Sequence, residues 1–197
     1  ASIDSVHNIS CFGGNDGSFD LTVSNYSGNY TYEVIDGASN SVFGVVAANT
    51  STNPLQVSGL EAGTYQVIMT STDSPFCSAN GTVVIGSPSE ELDLSLQETS
   101  NVTCDNDSGT IVATATGGTP AYEYELTGPV NVAFSSNATF SGLEAGTYTV
   151  TVRDAQGCIS SEVIVLSTPP AITADVVATV NPLLCFGDNS GTIEVSN

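Results

Sequence analysis

The heptapeptide GLEAGTY is written twice, at Gly59 to Tyr65 and at Gly142 to Tyr148, identical at all seven positions and 83 residues apart. A second copy of a catalytic site is unusual in so short a chain, whereas a second copy of a structural corner marks the length of a folding unit. Divided at that spacing, the 197-residue chain gives two small units, each with a modest core. Around both copies the chain alternates apolar and polar residues in short runs broken by Gly, Asn, Asp and Pro, the pattern of half-buried strands and tight turns.

A second repeated pattern places the strands. ISCFGGNDGSFDLTVSN around Cys11, VTCDNDSGTIVATATGG around Cys104 and LLCFGDNSGTIEVSN around Cys185 each run Cys, Asp/Asn/Gly loop, Gly-Ser or Gly-Thr pair, alternating strand. In each complete unit the order then predicts a first strand (3–9; 92–102), a second (18–24; 110–116), and a third carrying alternating aromatics, YTYEVI from Tyr30 or AYEYEL from Ala121. A weaker fourth strand (42–47; 130–134), a fifth into the corner (55–60; 138–143), a sixth opened by GTY and a closing strand (82–85; 162–166) complete the unit. Seven short strands in about 85 to 90 residues predict an all-β fold, an immunoglobulin-like or fibronectin type III-like sandwich. The expected units are residues 1–88 and 89–170, with 171–197 beginning a third; short junctions stiffened by Pro88 and by Pro169 and Pro170 suit a semi-rigid head-to-tail rod. Because GTIEVSN restarts the pattern at the end of the chain, the sequence reads as part of something longer.

The heptapeptide has a place in this order. A Leu, a Gly-rich turn and a Tyr opening the sixth strand describe a tyrosine corner, in which the phenol bonds back to the backbone and clamps the crossover between sheets. Leu60 and Leu143 are expected in the core, Gly63 and Gly146 in the turn, and Tyr65 and Tyr148 as the clamps.

Charge excludes several functions. One basic residue, Arg153, and one histidine, His7, stand against twenty-one acids, for a formal net charge of −20. Phosphate neutralisation needs Lys and Arg, so nucleic acid is not a partner, and attraction to an anionic membrane surface fails for the same reason. No run of 18 apolar residues exists, so no direct membrane insertion is expected. With a lone His and no nucleophile–base constellation, an enzyme is not expected either. Tyr30 with Tyr32, or Tyr122 with Tyr124, would suit a glycan platform, but residues two apart on a strand are first of all core.

The residues CFGGNDGSFDLTV, CDNDSGTIVATATGGTPAYEYEL, GLEAGTYTVTVRDAQGC and CFGDNSGTIEV resemble the SprB repeat of long surface adhesins in gliding bacteria. Unit one departs from the pattern, with SNYSGNY where unit two has GGTP and with STDSPFC at its later Cys. The resemblance implies a tandem sandwich of a secreted cell-surface filament, exported by the type IX route and used in adhesion and gliding motility. Its partners would be neighbouring repeats of the same long chain, other filament subunits or surface polysaccharide. A polysaccharide-binding accessory module of a large secreted protein or hydrolase is the rival class.

The five cysteines, Cys11, Cys77, Cys104, Cys158 and Cys185, lack zinc spacing and suit disulfides in a secreted chain. The simple pairs are Cys11 with Cys77 and Cys104 with Cys158. Topology weighs against them, because the second and sixth strands of such a sandwich run parallel. A Cys before one and a Cys after the other then lie roughly 20 Å apart, beyond the reach of about 4.4 to 6.8 Å between bonded Cα atoms. Head-to-tail stacking makes Cys11 with Cys158 the favoured bond between units and leaves Cys77, Cys104 and Cys185 for neighbouring units. Free buried thiols stay open as a third arrangement. Acids gather at the same ends: Asp16, Asp105, Asp107 and Asp188 in the Cys loops, Glu61 and Glu144 in the corners, with Asp73 or Asp154 facing them. Ca²⁺ at the junction would relieve their repulsion with hard oxygen ligands, although the same Asp and Asn residues suit Asx-turns, and the loop from Asp105 lacks the Glu that closes an EF-hand.

Overall fold

The computed structural model describes residues 1–73, 76–100, 102, 108–168, 175–177 and 194–196. Unit one contains β1 (Ser2–His7), β2 (Gly17–Thr22), β3 (Asn29–Ile35), β4 (Val46–Asn49), β5 (Leu55–Leu60), β6 (Gly63–Ser71) and β7 (Ser78–Ile85). Unit two contains β8 (Asp93–Ser100), β9 (Gly109–Thr116), β10 (Glu123–Thr127), β11 (Val132–Ser135), β12 (Thr139–Leu143), β13 (Gly146–Arg153) and β14 (Ile159–Leu166). Further on, β15 (Asp175–Val177) pairs antiparallel with β16 (Glu194–Ser196), as β1 pairs with β2 and β8 with β9.

Each unit is a sandwich of three strands on four: β1-β2-β5 with β4-β3-β6-β7, and β8-β9-β12 with β11-β10-β13-β14. The fourth strand pairs with the third and not with the fifth, which is the fibronectin type III variant of the immunoglobulin-like sandwich. The alternation in sequence becomes the inside and outside of these sheets. In β2 Phe19 and Leu21 are fully buried, and in β13 Tyr148, Val150 and Val152 are fully buried while their neighbours are half-buried or exposed. Burial of each such side chain is worth about 1.5–3 kcal/mol. The two units have separate cores, one around Phe19, Leu21 and Val67 and one around Ile111, Tyr148 and Val150.

Several boundaries differ from the sequence expectation. The closing strands begin at Ser78 and Ile159, earlier than the expected 82 and 162, because their polar first halves continue the ladder with β6 (Thr70 opposite Ser78) and β13 (Arg153 opposite Ile159). Exposed edge-sheet residues such as Asn80 carry no alternation, so only the partner strand reveals the extension. The fourth strands lie at Val46–Asn49 and Val132–Ser135, later than expected, and β10 starts at Glu123, leaving Ala121 and Tyr122 in the preceding loop.

The corner is built the same way twice. Tyr65 Oη donates to the Glu61 carbonyl at 3.0 Å, and Tyr148 Oη donates to the Glu144 carbonyl at 3.1 Å. Burial, followed by the charges of Glu61 and Asp36, raises the Tyr65 phenol above its ordinary value of 10.0. Leu60 and Leu143 are buried beneath these bonds. The glycine with left-handed geometry is the first of the heptapeptide: Gly59 at φ +81° and Gly142 at φ +70°. Each forms a β-bulge, since Ser58 and Leu60 face Ser18 and Gly17, and Ser141 and Leu143 face Thr110 and Gly109. Gly63 and Gly146 instead open β6 and β13, and a Cβ on Gly146 would lie 2.6 Å from Pro129. Opposite the bulges, a Cβ at Gly17 would come within 2.5 Å of Ile85, and one at Gly109 within 2.7 Å of Leu166, which accounts for the Gly of the Gly17-Ser18 and Gly109-Thr110 pairs.

Candidate functional site at the junction between units

The loop between β1 and β2 is shaped by its own polar groups. The Gly14 amide donates to the Cys11 carbonyl at 2.9 Å, and the Ser10 amide donates to the Asp16 carboxylate at 2.9 Å. Hydrogen bonds from Ser10 hold the Asp16 carboxyl below its ordinary value of 3.8. At the base of the loop, the amide of buried Ile9 donates to the Gly86 carbonyl, and the Gly86 amide returns to the Asn8 side chain. These bonds present Cys11 outward, and its side chain packs against the core of unit two.

Unit two receives it with the hairpin between β13 and β14. Asp154, buried at 6% exposure, accepts from the amides of Gln156 and Cys158 at 2.9 Å each and from the Thr119 amide at 2.8 Å. The Asp154 amide in turn donates to the Cys158 carbonyl, and the Ala155 amide donates to the Thr119 carbonyl. One carboxylate therefore joins the hairpin to the GGTP loop and sets the Cys158 backbone. Cys11 and Cys158 form a disulfide with Cα atoms 5.7 Å apart across a sequence separation of 147. Cys158 is itself buried, with its sulfur 3.4 Å from the Ser10 carbonyl.

Among the described residues Cys77 is a free, exposed thiol, so the pair Cys11 with Cys77 is absent, and Cys158 is not joined to Cys104. The pair Cys11 with Cys77 would span a sandwich end to end. Cys104, Cys185, Asp105, Asp107 and Asp188 lie outside the described residues. Among the described residues no three His, Cys, Asp or Glu side chains gather as a metal site, so Asp16, Glu61 and Glu144 are not brought into one. Asp16 and Asp154 act as turn-closing acceptors, and Asp73 likewise accepts from the Asn29 amide at 3.0 Å and the Tyr26 hydroxyl at 3.3 Å. An open polar cleft of about 610 Å³ beside the junction is lined by His7, Asn8, Ser10, Asp16, Thr119 and Gln156. His7 is exposed at the end of β1.

Arg153, the one Lys or Arg of the chain, pairs with Glu123 at 2.6 Å and stacks over Phe134 at 4.3 Å from the ring centroid. The two residues face each other across β10 and β13, so the only guanidinium serves the sheet and leaves the other acids without a Lys or Arg partner. Of the tyrosines that would suit a glycan platform, Tyr30 and Tyr124 are buried, and Tyr32 and Tyr122 are half-buried. In sequence Asp154 stood out as an acid facing the Cys loops and not as a backbone acceptor; its three amide partners include one from a loop 35 residues away.

Residues 3–39 and 96–131 match the family model described as the SprB repeat. At these two stretches, one in each unit, the chain is similar to the SprB repeat. Each match runs from the first strand of a unit, through the Cys loop, to the loop beyond the third strand. SprB repeats are structural and adhesive modules of extracellular cell-surface proteins and are not enzymes. No curated protein matches the chain. Among solved structures, a 282-residue C-terminal fragment of intimin, in complex with the intimin-binding domain of its translocated receptor, is 17% identical over 90% of this chain, with a TM-score of 0.46. The chain spans 66% of that fragment. A two-domain fibronectin type III segment of chicken tenascin is 12% identical over 84% of this chain and 99% of its own, with a TM-score of 0.31. The fibronectin(III)-like modules of Clostridium thermocellum CbhA are 17% identical over 85% of this chain and 94% of their own, with a TM-score of 0.32. Likenesses of this degree carry no argument about ligands or partners. No helix among the described residues is long and apolar enough to cross a membrane.

Proposed function

We propose that this chain is a load-bearing stretch of a long secreted cell-surface filament, used in surface attachment and gliding motility as its resemblance to the SprB repeat implies. The observation that carries the reading is the disulfide between units. A flexible string of binding domains has no need of a covalent clamp at the junction, whereas a filament under tension has. Force entering at the N-terminus follows β1 to Cys11, crosses to Cys158 and leaves along β14, bypassing both cores. The high negative charge suits an ionic medium outside the cell, where counter-ions screen the surplus carboxylates. Neighbouring repeats of the same chain are the proposed partners of each unit.

Antibodies raised against residues 1–197 should label intact cells, and imaging of the intact protein should show a long filament. A compact particle would overturn the reading. Binding of the isolated chain to a glycan array would favour the rival function, a polysaccharide-binding module, over a spacer.

A further inference from the structure

Cys77 has a counterpart that shows what it takes. In unit two the Asp154 amide donates to the Cys158 carbonyl at 3.0 Å, and the Cys158 amide donates to the Asp154 side chain at 2.9 Å. In unit one the Ser71 amide donates to the Cys77 carbonyl at 2.8 Å, and the Cys77 amide donates to the Ser71 side chain at 2.8 Å. Ser71 and Asp154 stand at the same place, six residues after Tyr65 and Tyr148. The two cysteines thus occupy one hairpin position held by one pair of bonds. Cys158 is covered by the loop of Cys11, whereas Cys77 is exposed and the adjacent Phe76 is 77% exposed.

The end of unit one also holds an unfilled place. A depression of about 380 Å³ beside Cys77 is lined by Val23, Tyr26, Tyr30, Met69 and Ala79. Tyr30 is 2% exposed, yet its hydroxyl is buried without a hydrogen-bond partner. Leaving such a group unsatisfied is costly, and a partner is expected. Its counterpart in unit two, Tyr122, donates to the Gly117 carbonyl at 2.6 Å. The equivalent end of unit two is where the first-loop cysteine of another repeat already docks.

We infer that the Cys77 end of unit one is a docking site for the cysteine-bearing first loop of another repeat of this kind, sealed by a disulfide to Cys77. The occupant is a loop like that of Cys11, and it supplies both the thiol and polar backbone groups within reach of Tyr30. The inference rests on the tandem-repeat reading above. Bond formation removes two protons and two electrons from the paired thiols, and a small-molecule or protein disulfide accepts them and leaves as two thiols. Repeated along an array, the same bond would link every unit to its neighbour.

The 197-residue chain can test this by itself, because VTCDND and LLCFGD carry first-loop cysteines at Cys104 and Cys185. In a buffer of oxidised and reduced glutathione, at rising protein concentration, the chain should form a disulfide-linked head-to-tail ladder. Heterologous contacts of this type propagate as open arrays wherever their rotation does not close a ring. Peptide mapping of mixed isotope-labelled and unlabelled chains should find Cys77 of one molecule joined to Cys104 or Cys185 of another. Cys77→Ser, at an exposed site, should abolish every Cys77 link while the Cys11 to Cys158 bond remains. Recovery of Cys77 as a thiol, as a glutathione mixed disulfide, as a symmetric Cys77 dimer or in a link within its own chain would overturn the inference. Any of those results would leave the filament reading standing, whereas glycan binding would damage that reading and leave the Cys77 site intact.

Discussion

Pulling the chain from its two ends tests the load path most directly. The disulfide encloses 147 of the 196 steps between Ala1 and Asn197 and replaces them with a Cα separation of 5.7 Å. At about 3.3–3.6 Å per extended residue, the enclosed segment is worth on the order of 500 Å of contour length. The oxidised chain should therefore extend by roughly 170 Å in total, and the reduced chain by roughly 680 Å. In single-molecule force spectroscopy, oxidised molecules should show only the short release of β1, β14 and the segment after it. Addition of a reductant, or the substitution Cys11→Ala, should restore the unfolding of both sandwiches. Full-length extension of oxidised wild-type molecules would refute the argument. In solution the same bond restricts the unfolded chain, and the loop-entropy relation gives about 5 kcal/mol for a loop of this length.

Tyr148→Phe removes the corner bond to the Glu144 carbonyl and should cost about 1 kcal/mol, lowering the melting temperature of unit two by about 4–8 °C. Tyr30→Phe is the matched control, since that phenol has no partner to lose, and calorimetry of the two variants should separate them. Asp154→Ala strips the acceptor from three amides and should destabilise unit two by about 3 kcal/mol or more. It should also slow formation of the Cys11 to Cys158 bond during oxidative refolding, and an unchanged rate would show that the carboxylate does not position Cys158. Asp16 and Asp36 are held below 3.8 in the folded chain, by hydrogen bonds from Ser10 and Asn40 respectively. Their contribution to stability is then complete above pH 3.8 and is lost as the pH falls through the folded-state values. Carboxyl titration by NMR should give midpoints below 3.8 for both, and a midpoint at or above 3.8 would count against these loop bonds.

Much of the fold was legible because strand burial is local. Phe19 and Leu21, or Tyr148, Val150 and Val152, announce their shared face by a spacing of two, and that spacing survives in any packing. The doubled GLEAGTY marked the corner for the same reason, since a tyrosine bonding four residues back needs only its own segment. Strand ends were less legible. Ser78 to Asn80 became part of β7 because β6 extends alongside, a property of the partner and not of those residues.

The junction shows the limit most clearly. Five cysteines and a cluster of acids left several pairings and a cation open: strand topology favoured the Cys11 to Cys158 bond that the structure contains, but residues 147 apart carry no direct mutual signal in the chain. Only the packed units bring the loop of Cys11 onto the hairpin of Cys158, turn Asp154 into the buried acceptor that sets that hairpin, and leave Tyr30 buried without a partner beside Cys77. The sequence by itself determined which residues face inward, the seven-strand unit and its repetition. Tertiary structure decided which loops meet, because contact between units depends on how whole sandwiches stack, and no short-range pattern records that.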